Sequence, residues 1–288
     1  MSNILWFKDI SDSDVDRVGK KAAIISKIFN RNLPVPNGFC IPSNVFSKFL
    51  EETKIKERID ELLGKLDFND INTLYNISEK IRNIIVNTPL PSILKYEITT
   101  AYENISVNID VYKTVSKQAL EIIKAGREIP IVALKISLAN ETVNHQQNIL
   151  NVKGKEEVIK SLQKCWASMF TPNSLNLKLK NNVPLDYCDV SIIVQKMADS
   201  EKSGIVLTQN PESNKDEMII EACFGQSEVL GSGIIPDKYI VDRKTFGIVE
   251  KTINPQSFML IKDDNIGRNV KKNLANNNEQ KLNSDEVQ

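Results

Sequence analysis

The hydrophobic pattern changes once along this chain, and that change most restricts what the chain can fold into. Between about residues 18 and 124, apolar residues recur three and four positions apart, in segments such as "AAIISKIF", "VFSKFLEE" and "ISEKIRNIIV". This spacing is typical of amphipathic helices. From residue 129 onward, β-branched runs such as "IPIVALKI", "DVSIIVQKMA" and "EMIIEACFG" predict strands, and only "KEEVIKSLQKCWASMF" predicts a helix among them. The two halves together predict an α+β protein.

Composition and charge exclude several classes of function. The hydrophobic content of 41% is ordinary for a globular chain with a core. Lys+Arg and Asp+Glu each total 37, so we expect neither a nucleic-acid partner nor binding to an anionic membrane. The N-terminus lacks a basic segment before an apolar run, and no segment reaches membrane-spanning length. These features predict a cytoplasmic protein.

Common catalytic and metal-binding motifs are absent. The four cysteines, Cys40, Cys165, Cys188 and Cys223, lack CxxC spacing, and His145 is the one histidine, which argues against a zinc site or a disulfide framework. The sequence also lacks a GxSxG motif, a Walker loop, an HExxH motif and an EF-hand pattern. These absences exclude the common hydrolase classes.

Three positions suggest a nucleotide. In "RVGKKAAII", Gly19, Lys20 and Lys21 stand at a predicted loop-to-helix junction, where helix N–H groups and an ammonium favour phosphate; a solvated lysine pair is the alternative. Lys135 interrupts an apolar strand and needs an anionic partner if it is buried. Gln195 ends "SIIVQ" and has the donor and acceptor needed to bind an adenine edge. Both strand residues would equally suit a solvent-facing position.

Several blocks in a fixed order resemble one enzyme family. The chain contains "VGKKAAII", "LPVPNGFCIPSNVFSKFLE", "IVALKIS" and "HQQNILNVKGKEEVIKSLQKCWASMFT", followed by a long block from "VSIIVQKMADSEKSGIVLTQ" to "DKYIVDR". The series resembles the N-terminal ATP-binding domain of the phosphoenolpyruvate synthase and pyruvate phosphate dikinase family, over about residues 8–262. The resemblance implies an ATP-grasp-like fold, in which a helix-rich first lobe and a β-rich second lobe hold ATP between them.

Domain bounds follow from combining this resemblance with composition. We expect a helix-rich first lobe over residues 1–188 that ends in mixed α/β structure, and a β-rich second lobe over 189–262. Residues 263–288 are rich in Asn and charge and poor in apolar side chains, which predicts a polar tail or linker.

The same resemblance implies roles for individual residues. The positions that match the family's nucleotide-binding pattern are Lys20, Lys135, Gln195, Glu221 and Glu228, and the Pro-Asp pair that follows them matches Pro236 and Asp237. Lys20 stands at a phosphate-binding lysine, Lys135 at an arginine and Gln195 at a glutamine near adenine. The implied cofactors are ATP and Mg²⁺. In complete members, this domain passes a phosphoryl group from ATP to a histidine on a second domain, and a third domain transfers it onward to pyruvate.

Departures from the family pattern predict weaker phosphate binding. In "KISLANET", Lys135 replaces a guanidinium that binds two oxygens at once, and Ile136 replaces a serine. In the following loop, His145 takes the place of a glycine and Ile149 approximately that of a threonine, so backbone amides should approach phosphate less closely. Ser227 likewise replaces the second glycine of a Gly-Leu-Gly-Glu motif.

The family's Glu-Trp-Ala and Gln-Ala-Arg-Pro motifs have no counterpart in this sequence. They supply Mg²⁺ ligands and a phosphate-binding arginine, so we expect the chain alone to be a poor catalyst. Three interpretations stay open. The chain is the ATP-binding part of an enzyme whose phosphohistidine and pyruvate domains lie on a separate chain; it is a degenerate member that senses nucleotide; or it is a partner-binding protein that has lost the nucleotide.

Overall fold

A computed structural model describes residues 2–106, 128–139, 148–213, 215–263 and 268–288. The chain forms two compact units, Met1–Met197 and Ala198–Gln288. Helices predominate in the earlier part of the chain and antiparallel strands in the later part, which confirms the predicted α+β class. His145 lies outside the described residues.

The first unit is built on a five-stranded antiparallel sheet. Its strands are β1 (Leu5–Trp6), β2 (Gly38–Ile41), β3 (Ile131–Leu138), β4 (Ile149–Lys153) and β5 (Val190–Lys196), in the spatial order β1-β2-β5-β3-β4. Alternation along β3 sends Val132, Leu134 and Ile136 into the main core. Because successive strand side chains point to opposite faces, Lys135 and Ser137 belong to the other face.

Helices cover both faces of this sheet. They are α1 (Val15–Phe29), α2 (Asn44–Glu52), α3 (Lys56–Leu63), α4 (Ile71–Asn87), α5 (Ser92–Asn104), α6 (Lys155–Ser168) and α7 (Pro172–Lys180). Helices α2 to α7 contribute to the main core, where Trp166 of α6 packs against Phe46 and Phe49 of α2. Helix α1 covers the opposite face, where Val18 and Ala22 pack with Cys40 and Ile193 of the sheet.

Helix α7 was not predicted from the β-branched pattern, although local signals for it exist. Pro172 occupies its first turn, and the Thr171 side chain accepts a hydrogen bond from the backbone N–H of Ser174. Both features are typical helix starts. Leu175 is buried in the main core. Packing against this core therefore stabilises α7, which is too short to be stable as an isolated helix.

The second unit contains two antiparallel sheets. Strands β6 (Lys202–Leu207), β7 (Glu217–Phe224), β8 (Asp237–Asp242) and β9 (Ile248–Thr252) form one sheet in that order, and β10 (Phe258–Asp263) pairs with β11 (Arg268–Asn273) in the other. The short helix α8 (Ser284–Val287) follows. Tyr239, Val241, Ala222 and Val287 form the core of this unit.

The region from residue 263 onward, predicted as a polar tail, contributes to this unit. It contains β11 and α8, and both Lys281 and Val287 are buried. Strand β11 is held by pairing with β10, and Lys281 by a buried ion pair. Composition did not predict this ordered structure, because it reveals apolar runs and not contacts of this kind.

Candidate functional site

Gly19 interrupts α1 and starts its second helical segment. Its backbone angles, φ 76° and ψ 161°, lie outside the helical region, in a region that essentially only glycine adopts. A Cβ atom built on Gly19 would lie 2.4 Å from Ser137 Oγ and 2.6 Å from the backbone N of Leu138. Glycine therefore lets the new helix start approach the end of β3 closely.

Two serines join this helix start to the sheet. Ser137 Oγ accepts a hydrogen bond from the backbone N–H of Ala22 at 3.0 Å, and this satisfies one of the donors that a first helical turn leaves open. The Ser191 hydroxyl lies 2.5 Å from Val18 O and 2.6 Å from Ser137 O. The position of the helix start, with its positive dipole end, is thus set by the sheet beneath it.

The charges of Lys21 and Lys135 interact electrostatically. Burial, and secondarily the positive charge of Lys21, lower the pKa of Lys135 from its ordinary value of 10.5. Placing two positive charges close together in a partly buried position is unfavourable, and a nearby anion offsets this cost. The helix start and the two ammonium groups together form an arrangement suited to phosphate.

Gln195 holds Lys135 in place. The two side chains share one face of the sheet on neighbouring strands, since Ala133 pairs with Gln195 and Lys135 with Ile193. Lys135 Nζ donates to Gln195 Oε1 at 3.1 Å, and Gln195 Nε2 donates to Pro36 O at 3.1 Å. Gln195 is buried, so the solvent-facing alternative does not describe it.

The sequence placed both Lys20 and Lys21 at this junction, and the family resemblance singled out Lys20, which is exposed, whereas Lys21 acts electrostatically on Lys135. The spacing of residues along α1 could have indicated that Lys21 faces the sheet. Val18, Ala22 and Ile25 form the stripe of α1 that packs on the sheet, and Lys21 lies one helical turn before Ile25 on that side. Lys20 lies one turn before Ile24, which is 59% exposed.

The two predicted glutamates belong to the second unit. Glu221 lies on β7, opposite Ile205 of β6 and Lys238 of β8. Glu228 lies in the short 3-10 helix Ser227–Gly231, and its carboxylate accepts a hydrogen bond from Asn269 of β11. Lys135 and Gln195 are therefore brought into contact within one unit, while the two glutamates occupy separate positions in the other.

Asp237 forms a buried ion pair within the second unit. Its carboxylate and the Lys281 ammonium are both fully buried and 2.8 Å apart. The same carboxylate accepts the backbone N–H groups of Lys281 and Asn254, each at 2.9 Å. The Pro236 carbonyl accepts from Asn254 Nδ2 at 2.8 Å. Asp237 therefore organises the end of the second unit around a charge pair.

The described residues contain neither a candidate metal cluster nor a candidate membrane-spanning helix. No group of three or more His, Cys, Asp or Glu side chains among them could hold a metal ion. The four cysteines are free, and burial raises the pKa of Cys40 and Cys165 to about 12, which keeps both thiols protonated. Within the same residues, no helix has the length and apolar character to cross a bilayer.

Comparison with known proteins gives a consistent result. The family described as "Pyruvate phosphate dikinase, AMP/ATP-binding domain" matches residues 15–117 and 143–288. A probable phosphoenolpyruvate synthase of Methanocaldococcus jannaschii is 34% identical over 272 residues, covering 92% of this chain and 22% of that protein. One of Archaeoglobus fulgidus is 33% identical over 290 residues, covering 99% of this chain and 36% of that protein.

A third relative, the phosphoenolpyruvate synthase of Pyrococcus furiosus, is 31% identical over 302 residues, with 92% of this chain and 35% of that protein covered. The chain thus spans about a fifth to two fifths of the length of these relatives. The family match confirms the predicted ATP-grasp-like, α+β class of nucleotide-binding domain.

Proposed function

We propose that this chain, which belongs to the family of pyruvate phosphate dikinase AMP/ATP-binding domains, binds ATP with its phosphates at the second start of α1. The observations that carry this proposal are the helix start that Gly19 opens and Ser137 anchors to β3, and the electrostatic effect of Lys21 on the buried Lys135. ATP phosphates would bring negative charge to the Lys21 and Lys135 ammonium groups, and the helix dipole would add to the attraction.

Each residue has a distinct part in this proposal. Lys21 and Lys135 neutralise phosphate charge, and Gln195 orients Lys135 through the 3.1 Å hydrogen bond. Ser137 fixes the helix start through Ala22. Glu221 and Glu228 are proposed as nucleotide contacts from the second unit on the family pattern alone, and Lys20 is replaced by Lys21 as the phosphate ligand.

The wider reaction is also a proposal, because relatives named phosphoenolpyruvate synthase are much longer than this chain. We propose that the chain provides the ATP-binding step of such an enzyme and that other parts, on this or a separate chain, provide the phosphohistidine and pyruvate domains. A nucleotide-sensing role without transfer is the second candidate. The observation that favours it is Lys135, whose lowered pKa and single-point charge suit weaker phosphate binding than an arginine would.

A first prediction tests the lysine assignment. Lys21→Ala should weaken ATP binding about tenfold or more, because a hydrogen bond to a charged group contributes about 1.5–3 kcal/mol. Lys27→Ala is the matched control on the same helix, since Lys27 makes an exposed ion pair with Asp12 at 3.5 Å. Affinity is measured by calorimetric titration of Mg·ATP, with adenosine and GTP as comparison ligands.

The same series decides between the candidate functions. Saturating ATP at about 100 times Kd should stabilise the wild-type chain by about 2.7 kcal/mol in a thermal melt. ATP binding with no phosphoryl transfer, even when the remaining domains of a longer relative are added in trans, would favour the sensor. Equal losses for Lys20→Ala and Lys21→Ala would contradict the preference for Lys21, and an unchanged melt with millimolar ATP would overturn the whole proposal.

A second prediction concerns pH. Phosphate needs the protonated form of Lys135, whose pKa in the free protein lies below the ordinary 10.5. ATP affinity should therefore fall as pH rises from neutrality through that lowered pKa, and the complex should take up protons in this window. The second ionisation of phosphate has a pKa near 6, so above neutrality ATP gains little further charge, and that change would strengthen binding instead of weakening it.

Lys135→Met is the control for the pH experiment, since it cannot titrate. The variant should bind ATP more weakly and with a flatter dependence on pH above neutrality. An identical slope in the wild type and in Lys135→Met would exclude Lys135 as the titrating phosphate ligand.

A further inference from the structure

The break in α1 at Gly19 removes a backbone hydrogen bond that a continuous helix would contain. In a regular α-helix, each N–H donates to the carbonyl four residues earlier, so the N–H of Ala22 would donate to the carbonyl of Val18. Gly19 lies between these two groups and has φ 76° and ψ 161°, outside the helical region. Val18 and Ala22 are both fully buried. A buried backbone group without a partner is costly, so each of the two groups needs another one.

Two serines of the sheet take over the two halves of this missing bond. Ser137 Oγ accepts from the N–H of Ala22 at 3.0 Å. Ser191 Oγ lies 2.5 Å from Val18 O and donates to it. Ser137 of β3 and Ser191 of β5 are direct partners across the two strands, so both side chains stand on the same face of the sheet. The pair therefore offers an acceptor and a donor side by side to the interrupted helix.

The hydroxyl of Ser191 serves two carbonyls. It lies 2.5 Å from Val18 O and 2.6 Å from Ser137 O, and the residue is 1% exposed. A hydroxyl carries one proton, so this proton lies between a carbonyl of α1 and a carbonyl of β3. The Cys40 thiol also approaches Val18 O, but the distance from sulfur to oxygen is 3.9 Å and a thiol is a weak donor. Without the Ser191 hydroxyl, Val18 O would lose the closer of these two side-chain donors.

Holding Val18 and Ala22 fixes the segment between them, which carries Lys21. The charge of Lys21 acts on Lys135, and this effect depends on the distance between the two ammonium groups. A helix start that is already in place when a ligand arrives does not have to be ordered on binding. Ser191 therefore acts on the site through the backbone of α1.

We propose that Ser191 is a positioning residue for phosphate binding: together with Ser137, it replaces the helix hydrogen bond that is lost at Gly19 and so holds Lys21 in place. The inference rests on the proposed binding of ATP at the second start of α1. It adds that the geometry of this start depends on a hydroxyl of β5 whose proton is taken up by backbone carbonyls.

Ser191→Ala tests this role in calorimetric titrations of the full chain with Mg·ATP. We expect about tenfold weaker binding, because a poorly paired buried carbonyl would displace the helix start. Unchanged ATP affinity in Ser191→Ala, in a wild-type chain that binds ATP, would overturn the inference and leave the proposed function standing.

Ser78→Ala is the matched control. Ser78 is also fully buried, and its Oγ donates to the carbonyl of Phe170 at 2.7 Å within the main core. The control should lower the melting temperature to a similar extent as Ser191→Ala and leave ATP affinity unchanged. An equal loss of ATP affinity in the two variants would show that Ser191 acts only through general stability, and would overturn the positioning role.

The pH profile of ATP affinity gives a readout that general stability does not move. Burial, and then the charge of Lys21, lower the pKa of Lys135. A displaced helix start should therefore raise the pKa of Lys135 toward its ordinary value in Ser191→Ala, and the fall in ATP affinity with rising pH should begin at higher pH than in the wild type. The profile of Ser78→Ala should match the wild type. A wild-type profile in Ser191→Ala would contradict the displacement of Lys21.

A double variant tests whether the two serines act together. With Ser137→Ala and Ser191→Ala combined, neither side chain holds the backbone groups at the break. The N–H of Ala22 and the carbonyl of Val18 are then free to pair as in a continuous helix, which Gly19 permits. Urea unfolding should show a smaller loss of stability than the sum of the two single losses, while ATP binding stays at least as weak as in Ser191→Ala. Additive losses of stability would refute the shared role.

Amide hydrogen exchange in the free protein distinguishes failure of this inference from failure of the proposed function. Exchange of the α1 amides from Lys21 to Ala23 should be about tenfold faster in Ser191→Ala than in the wild type, and unchanged in Ser78→Ala. Unchanged exchange in Ser191→Ala would overturn the inference even where the wild type binds ATP. Faster exchange in that variant, with no ATP binding by the wild type, would overturn the proposed function and with it any role of Ser191 in phosphate binding.

Discussion

Replacing Lys281 with methionine should lower the free energy of unfolding of the second unit by about 3–5 kcal/mol, because it leaves a buried carboxylate without its countercharge. Asp237 and Lys281 are both fully buried and 2.8 Å apart. Methionine has a similar length and no donor, so both Asp237 Oδ1 and the carbonyl of Asn254 lose the Lys281 ammonium. The two hydrogen bonds that Asp237 accepts from backbone N–H groups remain, and they only partly offset the lost ion pair.

Lys202→Met provides the matched control within the same unit. Lys202 pairs with Glu286 at 2.6 Å, but both side chains are about one-third exposed, and exposed ion pairs contribute about 0–1 kcal/mol. Hydrogen exchange of β7 and β8 peptides during urea titration would measure the loss in the second unit. A Lys281→Met variant no less stable than Lys202→Met would show that the buried pair does not stabilise this unit.

A neutral partner offers a further check. In the double variant Lys281→Met with Asp237→Asn, the uncompensated charge is removed, so part of the stability lost in Lys281→Met should return. A double variant that is less stable by the full sum of the two single losses would contradict this account of the pair.

Gly19→Ala should destabilise the first unit by about 2–6 kcal/mol and abolish high-affinity ATP binding. A side chain at φ 76° and ψ 161° costs about 1–3 kcal/mol in backbone strain. Steric overpacking adds about 1–3 kcal/mol, because the new Cβ would meet Ser137 Oγ and the backbone of Leu138 within 2.4–2.6 Å. Relieving these contacts would move the helix start away from β3 and separate Lys21 from Lys135.

Gly154→Ala separates the two causes. Gly154 has φ 95° and ψ 150°, a similar backbone conformation, but nothing lies within 4 Å of the Cβ position. Its substitution should therefore cost the backbone part alone, about 1–3 kcal/mol, and leave ATP affinity unchanged. Both tryptophans, Trp6 and Trp166, lie in the first unit, so their fluorescence during urea unfolding reports on this unit. Equal losses in the two variants would show that contact with β3 is unimportant.

The fold class could be predicted because it depends on local periodicity. Helices α1 to α6 follow three- and four-residue spacing, and strands β3 and β5 to β9 follow β-branched runs. Helix α7 and the strand β11 were missed for a common reason. Leu175 is held by the main core and β11 by pairing with β10, and such long-range contacts override weak local preference.

The candidate site was predictable in part. Lys135 and Gln195 were identified from their places in the strands, and the sheet brings them to 3.1 Å from each other. The family resemblance could not distinguish the role of Lys20 from that of Lys21, because the distinction depends on which side of α1 packs on the sheet. Lys281 could not be recognised at all, since its partner Asp237 lies 44 residues earlier in the chain.

By itself, the sequence determined the α+β class and the family to which the chain belongs. These properties follow from residue periodicity and local motifs, which do not depend on contacts between residues far apart in the chain. The tertiary structure alone decided that Lys21 acts electrostatically on Lys135 and that Lys281 is buried against Asp237. The physical reason is desolvation: whether a charged or polar group is buried, and what compensates it, depends on groups that only folding brings together.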